Sequence, residues 1–173
     1  MIRALVALAL GALLSGCGFH FVGERPLPAA LRSVYIDLVV PYEVTTPPLE
    51  TALQARLRAR GGEVKSQADQ ARSILRLTDL SETREVLSVG LDGKAIEYRL
   101  VTRVTFELRS GGQELIAPEA QGVSRDYSFS VSEILAKEAE EERLRQYMQD
   151  ELAELILLRL EAELARRPPA AAG

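Results

Sequence analysis

The chain has 173 residues, 47% hydrophobic and 27% charged, with 21 Lys+Arg against 25 Asp+Glu and a formal net charge of −4. That length suits one ordinary domain, and the balance of apolar and charged residues excludes both a disordered chain and a polytopic membrane protein. The slight acidic surplus excludes a dedicated nucleic-acid binder, which carries a basic one. One Cys and one His cannot form an intrachain disulfide or a Cys-rich zinc site.

Met1-Ile2-Arg3 is a short positive start, and Ala4 to Leu14 is an unbroken run of apolar or small residues. As a helix this run covers about 16 Å of a hydrocarbon layer about 30 Å thick, too little for a stable span. Such a pattern describes a secretory signal peptide; the competing reading is a buried N-terminal helix. Leu14-Ser15-Gly16-Cys17 then resembles the lipobox of bacterial lipoproteins. The resemblance implies removal of residues 1–16, fatty acyl groups on Cys17 and on the new N-terminus, and outer-membrane sorting, since Gly18 rather than Asp follows. Two or more acyl chains anchor durably where one is marginal. The alternative is a secreted protein with a free thiol, a liability in an oxidising compartment.

Residues 17–32 contain Arg25-Pro26-Leu27-Pro28 and read as an extended tether, because Pro fixes φ and breaks helices. A single domain is expected over 33–167, with a disordered tail over 168–173. Val34, Ile36 and Leu38 alternate with Tyr35, Asp37 and Val39 as a first strand that stops at Pro41. Thr45-Thr46-Pro47-Pro48 opens a helix with Leu49, Leu53 and Leu57 on one face, and Gly61-Gly62 closes it. Arg56, Arg58 and Arg60 crowd its last turn, where the helix dipole favours cations, so they are read as capping and solvation.

Ser73 to Val89 is a longer extended stretch, polar enough from Asp79 to Glu85 to bend or bulge, and Gly90-Leu91-Asp92-Gly93 is a turn. The clearest strand follows: Ile96, Tyr98, Leu100, Val104, Phe106 and Leu108 share one face, and Glu97, Arg99, Arg103, Thr105, Glu107 and Arg109 the other, with Val101 and Thr102 as exceptions. Period two sustained this long is a sheet with one core face and one wet face. Gly111-Gly112 turns the chain, and Tyr127, Phe129 and Val131 alternate with Asp126, Ser128 and Ser130 as a last strand. Ser130 to Glu133 has capping-box spacing ahead of a long helix carrying Leu144, Met148, Leu152, Ile156, Leu160 and Leu164, and Pro168-Pro169 ends it. The expected class is α+β, with two helices packed on one face of a four-stranded, mostly antiparallel sheet.

Little here suits catalysis. His20 lies three residues from Cys17 with no neighbour to orient it, and no EF-hand run, Walker loop or dinucleotide fingerprint is present. The acids at Glu138 and Glu140 to Glu142 read as a solvated helix start rather than an acid/base pair. What remains are surfaces. Lys94, Arg99, Arg103, Arg125 and Lys137 could meet an anionic amphiphile such as a phosphorylated glycolipid. Salt bridging to Glu97, Glu107 and Asp126 is the alternative that spacing alone favours.

Cys17-Gly18-Phe19-His20, Glu97-Tyr98-Arg99-Leu100, Arg125-Asp126-Tyr127-Ser128-Phe129 and Ile134 to Glu141, in that order and spacing, resemble the LptE family of lipopolysaccharide-assembly lipoproteins. The resemblance runs from the signal peptide to about Leu164. It implies a non-catalytic subunit, anchored to the periplasmic side of the outer membrane, that plugs the LptD β-barrel as a heterodimer. Such a subunit assists the barrel's assembly, binds lipopolysaccharide and takes part in its delivery to the cell surface. No cofactor is implied beyond the acyl chains on Cys17, and no nucleic acid. Lys137 matches a family position linked with lipopolysaccharide contact, and Arg125 is a further candidate by motif. The family's other basic contact falls at Leu91 here, which moves that charge to Lys94. The alternative function is a periplasm-facing carrier or chaperone for lipids or lipoproteins, which would need an apolar cavity.

Overall fold

The computed structural model describes residues 26–39, 48–128 and 134–167, the side chains of 134–138 excepted. Among them are the strands β1 (Ser33–Leu38), β2 (Glu63–Lys65), β3 (Ser73–Val89), β4 (Ala95–Ser110) and β5 (Gln113–Ser128). The helices are α1 (Pro48–Ala59) and α2 (Ile134–Arg166). One sheet has the order β2-β1-β3-β4-β5. β1 runs parallel to β2 and β3, while β3, β4 and β5 form an antiparallel meander.

The expected four strands are therefore five. The extra one, β2, is three residues long and is held by its parallel pairing to β1 rather than by any hydrophobic alternation of its own. The last strand also starts well before Tyr127, at Gln113. The part before Val123, with Pro118 and Gly122, does not read as a strand, yet it lies at the sheet edge, where a missing N–H is tolerated. The register to β4 slips between Ile116 and Glu119, so Pro118 sits at that irregularity. Phe129, Val131 and the capping-box residues lie outside the described residues.

Alternation in β4 places Leu100, Val104, Phe106 and Leu108 on the core face, all at most 1% exposed. Thr102 is in phase with them and equally buried. They meet Leu75 and Leu77 of β3, Val34 and Ile36 of β1, and the stripes of both helices: Leu49, Leu53 and Leu57 from α1; Met148, Leu152, Ile156 and Leu160 from α2. Both helices thus cover one face and leave the other wet. α1 ends in a Schellman closure. The Gly62 N–H donates to the Leu57 carbonyl at 2.8 Å and the Gly61 N–H to that of Arg58 at 3.0 Å, with Gly61 at φ +81°.

The structure departs from the sequence expectation at the tether and at the end of α1. Leu27 and Leu31, inside the stretch assigned to the tether, are 6% and 0% exposed, so packing draws the start of the domain back to Leu27. The arginines at the end of α1 do more than cap it. Arg56 reaches Asp150 at 2.7 Å, and Arg60 pairs with Glu154 and, at 2.7 Å, with Glu161, tying α1 to α2.

β1 pairs with β3 only over Ser73 to Leu77. Beyond that point β3, β4 and β5 continue as a three-stranded blade for roughly 35 Å. A bulge between Thr78 and Ser81, with Asp79 at φ 55°, marks where the blade departs. The molecule therefore has a hairpin end, at Gly90 to Gly93, and an opposite end where Leu27 enters and the β4–β5 turn lies.

Candidate functional site

The hairpin end holds two of the residues singled out in the sequence, Lys94 and Lys137. Lys94 stands in the β3–β4 turn, its ammonium 3.7 Å from the Asp92 carboxylate and mostly solvent-exposed. Lys137 occupies a position on α2 one turn before Glu141, toward the same end, and its side chain is outside the described residues. Cys17 also lies outside them. Arg125 is placed differently. It pairs in register with Leu100, six residues along β4 from Lys94, a separation of about 20 Å. Its guanidinium donates to both carboxylate oxygens of Glu151, at 2.7 and 2.6 Å, and lies 6.0 Å from the ring centre of Tyr147. The structure thus does not bring Arg125 and Lys94 into one cluster.

Arg99 is likewise engaged, by Asp126 at 2.7 and 2.8 Å across the β4–β5 pair. That pairing holds the Asp126 carboxyl below its ordinary range through the Arg99 hydrogen bond and charge. The salt-bridging reading is correct for Arg99.

Between the end of β5 and α2 lies an open cleft of about 300 Å³, walled by Tyr127, Leu144 and Tyr147, with Glu141 and Arg143 at its rim. Beside it runs a polar network anchored in four elements, β3, β4, β5 and α2. The Tyr98 and Tyr127 rings stack at 5.5 Å, and the Arg84 guanidinium lies 4.9 Å above Tyr98. The Tyr127 hydroxyl donates to Glu141 at 2.6 Å, Arg84 reaches the same carboxylate at 3.2 Å, and Arg145 donates to it at 2.6 Å. Burial alone would raise the Glu141 pKa, but the hydrogen bonds from Tyr127 and Arg145 and the two arginine charges outweigh it and hold the group below its ordinary value. Burial and the Glu141 hydrogen bond push the Tyr127 phenol up to about 12. The network braces the end of the sheet against α2.

Three features were not evident in the sequence. Arg143 sits on the cleft rim with no ion pair among the described residues. Tyr147 is 57% exposed on the same wall. The hairpin itself exposes Val86, Leu87, Val89 and Leu91. The loss of clean alternation at Val86-Leu87 was the one available signal. Among the described residues no group of three His, Cys, Asp or Glu could hold a metal ion, and no helix is long and apolar enough to cross a membrane.

Residues 31–160 match the family model described as LptE, lipopolysaccharide-assembly. The chain belongs to the LptE family. The LPS-assembly lipoprotein LptE of Pectobacterium atrosepticum is 33% identical over 159 residues, spanning 90% of this chain and 83% of that protein. The LptE of Photorhabdus laumondii is 30% identical over 146 residues, 84% of this chain and 78% of its own length. Among solved structures, rare lipoprotein B from Shewanella oneidensis superimposes with a TM-score of 0.62 at 27% identity, covering 75% of this chain and 93% of that one. A lipoprotein B from Nitrosomonas europaea does so at 0.65 and 26% identity, covering 77% and 84%. The LptE match takes in the whole sheet, α1 and most of α2, so the cleft and the hairpin are parts of the family's fold.

Proposed function

We propose that this chain is the lipid-anchored subunit that plugs the LptD barrel in the outer membrane, assists its assembly and binds lipopolysaccharide in transit. Membership in the LptE family carries the role in lipopolysaccharide assembly; the plug, the cargo contact and the membrane location are our reading. The observation that supports it most is the division of the two sheet faces. One is filled by two helices over a closed core, and the other carries alternating charges such as Arg99, Arg103 and Glu107. A body of that kind suits the polar lumen of an outer-membrane barrel, where contact is extensive without a single apolar patch. A carrier would need an enclosed apolar chamber, and the clefts of the described residues open at the surface while the core is packed.

Within this reading Cys17 carries the acyl groups, and Lys137 and Lys94, both toward the hairpin end, meet anionic groups of the cargo. Arg125 takes part where a phosphate displaces Glu151, a competition that the short bidentate pair opposes. Purification of the chain from detergent-solubilised outer membrane tests the proposal. A large barrel protein and lipopolysaccharide are expected in the same complex. A chain recovered alone, with barrel assembly normal after its depletion, refutes it.

A further inference from the structure

At the end opposite the hairpin an open cleft of about 610 Å³ lies between the start of the domain, the β4–β5 turn and the end of α2. Pro28, Ala29, Leu115 and Leu164 give it apolar walls, and Arg72 and Arg167 line it too. No carboxylate lines it among the described residues, whereas the cleft beside Tyr127 has Glu140 and Glu141, and the one beside Tyr35 has Asp37 and Glu50. Arg72 and Arg167 are exposed, and neither has an ion pair among the described residues. Glu163, the acid nearest Arg167 in sequence, is taken by Arg159 and Arg166. Arg32 adds a third cation at this end, and its Nε donates to a neutral acceptor, the Leu27 carbonyl, at 3.3 Å. The helix dipole accounts for a cation at the end of α2. It does not account for Arg72, which the sheet carries to the same place. The Arg72 N–H bonds the Ser33 carbonyl, and its own carbonyl accepts the Ser110 hydroxyl at 2.8 Å.

Unpaired guanidiniums beside apolar walls suit a molecule that carries phosphate next to hydrocarbon. The phosphate takes charge-assisted hydrogen bonds, and the hydrocarbon loses water against the walls. The plug reading also places this end. Pro26 follows Cys17 by nine residues, a reach of at most about 30 Å, so an acylated Cys17 keeps the cleft near the periplasmic leaflet. Lys94 lies beyond the other end of β4, about 50 Å away. A plug held this way has the cleft at the periplasmic mouth of the barrel and the hairpin within the lumen. We infer that the cleft is a second lipopolysaccharide contact, an entry site where Arg72 and Arg167 take a phosphate of the cargo's acylated base before Lys94 and Lys137 meet it. The inference rests on the proposed function and adds to it an order of contacts, since a separation of about 50 Å makes the two ends successive stations rather than one site.

The test uses the full acylated chain in outer membranes, with a photo-crosslinking benzophenone side chain in place of Gln113 on the cleft wall or of Leu91 at the hairpin. Illumination is expected to give a lipopolysaccharide adduct at both positions. In the Arg72→Gln/Arg167→Gln variant both adducts should fall several-fold, while the barrel still co-purifies and the melting curve of the purified chain is unchanged. In Lys94→Gln/Lys137→Gln only the hairpin adduct should fall, because the cleft is reached first. An adduct at Gln113 with the barrel protein or with phospholipid and none with lipopolysaccharide overturns the entry site while the plug stands. So does a lipopolysaccharide adduct there that is equal in parent and arginine variant. A chain recovered without a barrel overturns the plug reading instead. The phosphate contact is then read on the purified chain with detergent-solubilised lipid A: binding several-fold tighter than to the same lipid stripped of its phosphates, and lost in the arginine variant, upholds it, and equal affinity overturns it.

Discussion

Gln149 is one of three buried polar residues among those described, at 8% exposed, and it joins the two helices to the sheet. Its side-chain oxygen accepts the Leu49 N–H at 2.8 Å, and its nitrogen donates to Glu82 at 2.8 Å. Leu49 is the second residue of α1, so its N–H has no acceptor inside that helix. Gln149→Met keeps the length and apolar volume of the side chain but removes both bonds. A buried N–H left without a partner costs about 2 kcal/mol, and loss of the Glu82 bond about 1 more, because Glu82 keeps Arg145. The total of about 3 kcal/mol corresponds to a fall in Tm of about 10 °C for a domain of this size. Gln146→Met is the control: that residue is exposed and bonds Glu142 one turn away, a pair worth about 0.3 kcal/mol. Thermal and urea unfolding followed by circular dichroism measure both. If the two variants agree within about 0.5 kcal/mol, the cross-helix cap contributes nothing and the reasoning is wrong.

Phe106, fully buried at the centre of β4, should cost about 4 kcal/mol when cut to Ala, read as a lower urea midpoint with little change in slope. The brace at Tyr127 predicts stability limits at both ends of the pH scale. Glu141 titrates below 4.5 when folded, so its contribution is complete above that value and is lost as pH falls through the lower folded pKa. Tyr127 is raised from 10.0 to about 12, so its contribution is complete below 10 and is lost as pH rises toward 12. Tyr127→Phe should flatten the alkaline limb of a stability–pH curve, and an unchanged limb would assign it to other groups. Lys137→Glu should weaken lipopolysaccharide binding more than it weakens folding, read by affinity and melting curve side by side; equal affinity in variant and parent at moderate salt removes Lys137 from the contact.

The elements that carry their own periodicity were legible in the sequence: β4 through its alternation, α1 and α2 through their leucine stripes, and the turns at Gly90 to Gly93 and Gly111-Gly112. Each depends on neighbours within a few residues, and a linear pattern records that. Long-range partners decided the rest. β2 exists because β1 offers a parallel edge, and the first half of β5 is a strand because β4 pairs with it despite Pro118. Leu27 and Leu31 look like tether until Gly62 and Leu57 pack over them, with an added Cβ at Gly62 falling 3.0 Å from Leu27. Charge is the extreme case. Arg125 and Arg99 looked alike as exposed cations on strands, and their different partners, Glu151 on α2 and Asp126 on β5, come from how the helix and sheet meet. Composition and local pattern determined which segments bury a face and which residues stay charged. Only the packing of distant segments determined which charges are spent on each other and which, such as Arg143 on the cleft rim, remain to act outward.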